Sequence, residues 1–236
     1  MLIVKRMVCL ANSIKLSGHC VAGREIAASG APGHWIRPVS SRPEREVSEK
    51  ERQLEDTSEP ELLDILEIAL KKHVPQACHS EDWLLDANRR WRRVGRIHIE
   101  DVEPYVEAPL TLWINGHSTR HGINDEIPQQ DADKLPNSLH LIRAEDVTIR
   151  VSEQTYQGVQ RRPQVRAHFE YGADHYRLSA TDPLVRDRYL AQGNGVYSLG
   201  PCYLTVSLGE PFQKQGDGFF RYKLVAGVMP IGGGLE

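Results

Sequence analysis

The sequence predicts a mainly β protein with short helices, an α+β chain holding two five-stranded barrels, and two observations carry that prediction. In the second half, apolar residues alternate in strand-like stretches at 165–171 and 176–180. These stretches belong to a series of strand, strand, strand, helix, strand, strand that begins at 147–151 and passes through a capped helix start at Asp182-Pro183. That is the element order of an OB-like barrel, whose surface commonly holds single-stranded nucleic acid or sugars. A fold is a place for a site and not a site, so function has to be argued from residues.

Taken in order, the first half opens with an apolar run at 2–10, rich in Ile, Val and Met and readable as a buried strand. A turn at 11–18 leads to a second strand at 20–27, which ends where Gly30, Pro32 and Gly33 break regular structure. A third strand is expected at 35–39. Residues 42–67 carry ten acidic residues against four basic ones, so a short exposed helix is expected there. The centre of 62–70 reads as a fourth strand, ended by Pro75. Ser80-Glu81-Asp82 combines a hydroxyl cap with two acids, which predicts a helix through about Arg90. The stretch 93–99 would then close the first barrel.

Between Trp113 and Asn137 the chain is polar and interrupted by Gly116, Gly122, Pro128 and Pro136. The expected organisation is a first barrel at 1–110, a linker or long loop at 111–140, a second barrel at 141–231 and a mobile tail at 232–236. In the second barrel Val165, Ala167, Phe169, Tyr176, Leu178 and Ala180 point to the core, with Arg166, His168 and Arg177 on the other face. A hairpin is expected at Gly172-Ala173-Asp174. Asp182 should cap the helix with Pro183 in its first turn, and Gly193 should stop it. Strands at 202–208 and 219–229 follow, joined by a loop at 209–218.

Composition bounds the function. Hydrophobic residues make up 40% and charged residues 26%, ordinary values for a soluble globular protein. No apolar run approaches the roughly 18 residues that span a bilayer, and the N-terminus does not read as a signal peptide, so a cytoplasmic protein with no membrane role is expected. Cys9, Cys20, Cys78 and Cys202 show no disulfide or zinc spacing and read as buried free thiols. A net charge of -3 means that nucleic-acid binding would need a local basic patch.

Several segments resemble the dual OB-containing domain family of prokaryotic proteins. They are Cys9-Leu10-Ala11-Asn12-Ser13, Cys20-Val21-Ala22-Gly23, Trp35-Ile36-Arg37-Pro38-Val39-Ser40, the run from Tyr176 to Pro183, Val206-Ser207-Leu208-Gly209-Glu210-Pro211-Phe212 and Tyr222-Lys223-Leu224-Val225-Ala226. The resemblance implies two OB-like barrels and a nucleic-acid-related role. It supplies no catalytic residues.

Three groups of residues are candidates for chemistry. Arg89, Arg90, Trp91, Arg92, Arg93 and Arg96 place five arginines around one tryptophan, a set suited to phosphate pairing and base stacking. The plainer reading is a surface where the arginines pair with the acidic segment and Trp91 packs inward. The second group is Arg166, His168 and Arg177 on the second and third strands, with Gln154, Tyr156, Gln160, Arg161 and Arg162 in the first loop and Phe212 and Lys214 in the last, the strand face and loops that OB-folds use. Phe169 and Tyr176 turn inward, so that strand face is short of stacking rings. Arg37 lies within a strand, where a buried ion pair is at least as good a reading as a phosphate contact. His117 and His121 have i, i+4 spacing, but flanking glycines and the lack of a third ligand argue against a metal site.

No nucleophile elbow or glycine-rich phosphate loop is present, so no enzyme, metal or cofactor is expected. The reading is a non-catalytic nucleic-acid-binding or recognition module that contacts single-stranded DNA or RNA through arginines. The alternative is a protein-interaction or scaffold module in which the charged segments meet a protein partner.

Overall fold

The computed structural model describes residues 2–15, 18–27, 29–156, 159–214 and 216–233, with 15, 154–156 and 159–162 described for backbone alone. The chain is mostly strand and divides into two units, residues 1–106 with 136–139, and residues 107–135 with 140–236.

The first unit contains β1 (Ile3–Lys15), β2 (Gly18–Ile26), β3 (Pro32–Val39), α1 (Glu49–Arg52), β4 (Asp64–His73), β5 (Asp82–Leu85) and β6 (Arg92–Arg96). Its strands pair in the order β1-β2-β3-β5-β4-β6, and β1 also pairs with β4. Five strands therefore close a ring, which removes the exposed sheet edges that promote aggregation. β1 serves two partners because a register shift between Cys9 and Ala11 bends it from β4 onto β2. At that crossing Gly23 lies so close that a Cβ would stand 2.0 Å from the Val8 carbonyl oxygen, so no side chain fits. Met7, Cys9, Val21, Ile36, Leu66, Ile68, Leu70, Leu85 and Trp91 pack inside.

The helix expected from Ser80 to Arg90 is instead β5 and a turn. The acids read as helix-start charges have other work. Asp82 is buried and binds Arg37 at 2.6 Å and Arg45 at 3.1 Å, while β5 runs parallel to β3. The expected closing strand at 93–99 becomes β6, which pairs with β4 outside the ring, and β5 closes it. α1 is the short helix expected in the acidic segment, held by a Ser48 and Glu51 capping box.

The second unit contains β7 (Glu126–Pro128), α2 (Gln129–Ala132), β8 (Leu139–Tyr156), β9 (Val159–Tyr171), β10 (Asp174–Ala180), α3 (Pro183–Gln192), β11 (Gly195–Lys214) and β12 (Gly218–Pro230). The sheet order is β10-β9-β8-β11-β12-β7, closed by a parallel β10–β12 pairing. Renumbered from β8, this is the same ring order as in the first unit. The predicted inward set is buried: Val165, Ala167, Phe169, Tyr176, Leu178 and Ala180. Asp182 caps α3 by accepting from the Leu184 and Val185 N–H groups, and Gly193 follows with φ 89°.

The segment 111–140, expected as a linker or long loop, carries β7 and α2 and buries Leu112, Ile127 and Ala132. The loop expected at 209–218 is largely paired, with Phe212 opposite Phe220 and Lys214 opposite Gly218. Residues 234–236 of the expected tail lie outside the described residues. No helix among the described residues is long and apolar enough to cross a membrane. The four cysteines are free thiols, with Cys9, Cys78 and Cys202 buried.

Candidate nucleic-acid interface

In the first unit β6 lies beside β4, and that pairing decides the fate of the arginine cluster. Asp64↔Arg96 and Glu67↔Arg92 are register partners, so each guanidinium meets a carboxylate across the strands. Arg92 and Arg6 hold Glu67 between them. Arg93 Nε donates to Asp64 at 2.8 Å, and Arg96 bonds Glu61 at 2.8 Å and Asp64 at 3.0 Å. Trp91 is 1% exposed within the core, so the proposed stacking ring is withheld from any ligand. Arg89 and Arg90 are exposed and have no ion pair among the described residues. They line a shallow hollow with Val4 and Glu55. Arg37 is the buried ion pair: burial opposes its charge, but Asp82 and Glu81 outweigh that and raise its pKa.

The second unit treats its arginines differently. Register places Arg150 opposite Arg166 and Arg166 opposite Ser179, while Thr148, His168 and Arg177 form the next row. Alternation sends all of these to the outer face. His168 is held down to about 4 by burial and then by Arg177, Arg150 and Arg166, so it is neutral at physiological pH. One carboxylate answers the three arginines: Asp125, whose Oδ2 lies 3.3 Å from an Arg166 terminal nitrogen. Arg166 Nε, Arg177 Nε and His168 Nε2 are buried and have no hydrogen-bond partner among the described residues. Buried polar groups are normally satisfied, and the two guanidinium nitrogens are donors, so these orphans on adjoining strands mark a place shaped for acceptors, with neutral His168 taking either role according to its tautomer.

The carboxylate is delivered by the segment between Asn115 and Pro128. Ile123 exchanges backbone hydrogen bonds with Arg177 on β10, at 3.3 and 3.1 Å. Asn124 Nδ2 donates to the His175 carbonyl, and Thr119 donates its N–H and hydroxyl to Asp125, both at 2.7 Å. A Cβ at Gly122 would stand 1.8 Å from Asp125 Oδ2, so a side chain there would push the carboxylate from its place. The segment's beginning is pinned from inside the ring, where the Tyr176 hydroxyl accepts from the Leu112 N–H at 3.2 Å and from Asn115 Nδ2 at 2.8 Å. Buried Lys223 donates to Asn115 Oδ1 at 2.6 Å, and burial pulls its ammonium down to about 7.

Beside this cationic face lies a row of rings. Phe212 stacks on Tyr222 with centroids 3.8 Å apart, and Phe212 and Phe220 are cross-strand partners. Tyr222 interacts electrostatically with both Arg166 and Asp125, so the rings adjoin the charged rows. Lys214 Nζ reaches Glu126 at 2.5 Å and sits 4.6 Å from the Phe220 ring centre.

Of the sequence candidates, Arg166 and Arg177 come together, Lys214 lies by the rings, and Arg92, Arg93 and Arg96 are neutralised. The side chains of Gln154, Tyr156, Gln160, Arg161 and Arg162 lie outside the described residues. Arg150, Asp125, Phe220 and Tyr222 were missed. Arg150 had a signal, because the alternation of Val147, Ile149 and Val151 puts it on the face of Arg166. Asp125 had none, since its approach depends on a fold of the segment 115–128. Among the described residues no group of three or more His, Cys, Asp or Glu could hold a metal ion.

A family model described as Dual OB-containing domain matches residues 5–228, nearly the whole chain. Comparison with curated proteins gives no match.

Proposed function

We propose that this chain, which belongs to the dual OB-containing domain family, is a non-catalytic cytoplasmic module that holds single-stranded nucleic acid on the outer face of its second ring. The observation that supports this most is the charge count around His168 among the described residues: three arginines, one carboxylate, and three buried nitrogens without partners. A phosphate supplies the missing acceptors, and arginine pairs with it bidentately. The face spans the first three strands of the ring, and OB-folds commonly use the second and third of these for ligands.

Arg150, Arg166 and Arg177 are the principal phosphate contacts, and Tyr156 at the end of β8 with Arg161 and Arg162 at the start of β9 extend them. Arg89 and Arg90 provide a secondary contact on the first unit. The scaffold reading is weaker, because the acidic segment and Arg92, Arg93 and Arg96 spend their charge on each other.

The test is fluorescence anisotropy with short single-stranded and duplex DNA and RNA at two salt concentrations. Single strands should bind at low salt and weaken steeply as salt displaces the counterion-release advantage. If no oligonucleotide binds at low salt, the proposal fails.

A further inference from the structure

The tip of the β11–β12 hairpin and the start of α2 enclose a groove of about 480 Å³ whose walls are unlike the cationic face. Phe219, Phe220 and Pro128 give it apolar sides, and Phe219 keeps 50% of its surface exposed although it is a large ring. Gln129, Gln130 and Asp217 give it polar rims. Gln130 and Asp217 are exposed, and neither has a side-chain partner among the described residues. Gln129 Nε2 donates to Asp133 Oδ2 at 3.0 Å, which fixes that amide and leaves its carbonyl oxygen available. The size falls within the range of small-molecule sites, and the composition, apolar walls with a few polar groups, is theirs too.

The carboxylates decide what class of molecule fits. Asp133 is already paired with Arg221 at 2.8 Å and bonded by Gln129, so Asp217 is the carboxylate left open: it repels a phosphate, while an aromatic heterocycle with an exocyclic amino group donates to it and stacks on the rings. We infer that this groove takes an unpaired nucleobase with an exocyclic amino group, as adenine, cytosine and guanine carry, in preference to uracil or thymine. The reading rests on the proposed function in one respect: the strand that supplies the base has its phosphates on the Arg166 and Arg177 face, and the Phe212, Phe220 and Tyr222 row lies between the two. An amino group donates to Asp217, and the Gln130 amide meets the neighbouring ring nitrogen or carbonyl. Uracil and thymine have no exocyclic amino group, and their one donor on that edge, N3–H, is flanked by two carbonyl oxygens that the carboxylate repels. A duplex cannot use the groove because its bases are stacked and paired.

Uncharged nucleosides separate this inference from the phosphate reading. In saturation-transfer NMR with the full chain, adenosine and cytidine should receive saturation and uridine much less. The signal should vanish in Phe219→Ala and persist in Arg166→Ala/Arg177→Ala. Equal transfer to uridine, or transfer untouched by Phe219→Ala, overturns the groove assignment, as does no transfer to any nucleoside. Loss of nucleosides with retained oligonucleotide binding sinks the groove alone, and the reverse pattern sinks the phosphate reading alone. With short oligo-dC, Phe219→Ala should weaken binding by about tenfold, the scale of one lost ring–base stack, without changing the salt slope. Phe219 is exposed enough for that variant to fold, and Gln130→Ala, a smaller change at the rim, should narrow the cytidine over uridine preference.

Discussion

The two units share one ring order and use arginine in opposite ways. In the first, Arg92, Arg93 and Arg96 each meet a carboxylate of β4 or of the residues just before it, and Arg37 is buried against Asp82. In the second, Arg150, Arg166 and Arg177 gather around a neutral histidine, with Asp125 as the single acid among the described residues. The denser arginine run in the sequence is therefore the less available one. What makes a cationic site is the supply of counter-charges across neighbouring strands, and that supply depends on register.

The contrast breaks most visibly at its two acids. Asp82→Ala should destabilise the protein by about 3–5 kcal/mol in urea unfolding, because it leaves Arg37 buried without a partner. If Asp82 can be removed at little cost, the first unit's charges are not structural. The double variant Arg166→Ala/Arg177→Ala should leave the fold intact and lower oligonucleotide affinity, with the salt slope reduced by about two phosphate contacts. An unchanged slope in anisotropy titrations would place the phosphate contacts elsewhere.

Asp125→Asn keeps one of the two acceptor oxygens that Thr119 uses and removes the charge that competes with phosphate. Affinity should rise several-fold, the opposite of what an acid contributes at Asp82, and a fall would make Asp125 part of the binding surface. A pH effect follows from His168, whose native pKa of about 4 lies below its ordinary 6.5. The unfolded chain binds the proton first, so the stability that neutral His168 contributes is complete above 6.5 and lost as pH falls toward 4. His168→Gln should flatten the stability profile in that window, and a profile identical to the natural protein's would mean the arginines do not press on this ring. The smallest effect is expected for Arg92→Ala, an exposed pairing with Glu67. Both its melting temperature and its oligonucleotide affinity should match the natural protein's, and a clear loss of affinity would return the first unit to the interface.

Much of the second ring was legible because its signals are local. Alternation from Val165 to Tyr171, the hairpin at Gly172, and the Asp182-Pro183 cap each depend on a few neighbouring residues. The helix expected after Ser80 shows where that method fails. Ser80-Glu81-Asp82 has the chemistry of a helix start, yet Asp82 has a stronger claim on it from Arg37, 45 residues away. No window along the chain contains that demand. The same holds for Trp91, where the plainer inward reading proved right because β6 lies against β4.

The sequence by itself determined the element order of the second ring, the faces of its regular strands, the Asp182 cap, and the family to which the chain belongs. These follow from backbone propensity and from the two-residue period of a strand, both short-range. Only the tertiary structure decided which arginines keep their charge free, because cancellation is settled by partners brought within a few ångströms across strands. The register of β6 on β4 neutralises one cluster, and the segment carrying Asp125 leaves the other in excess.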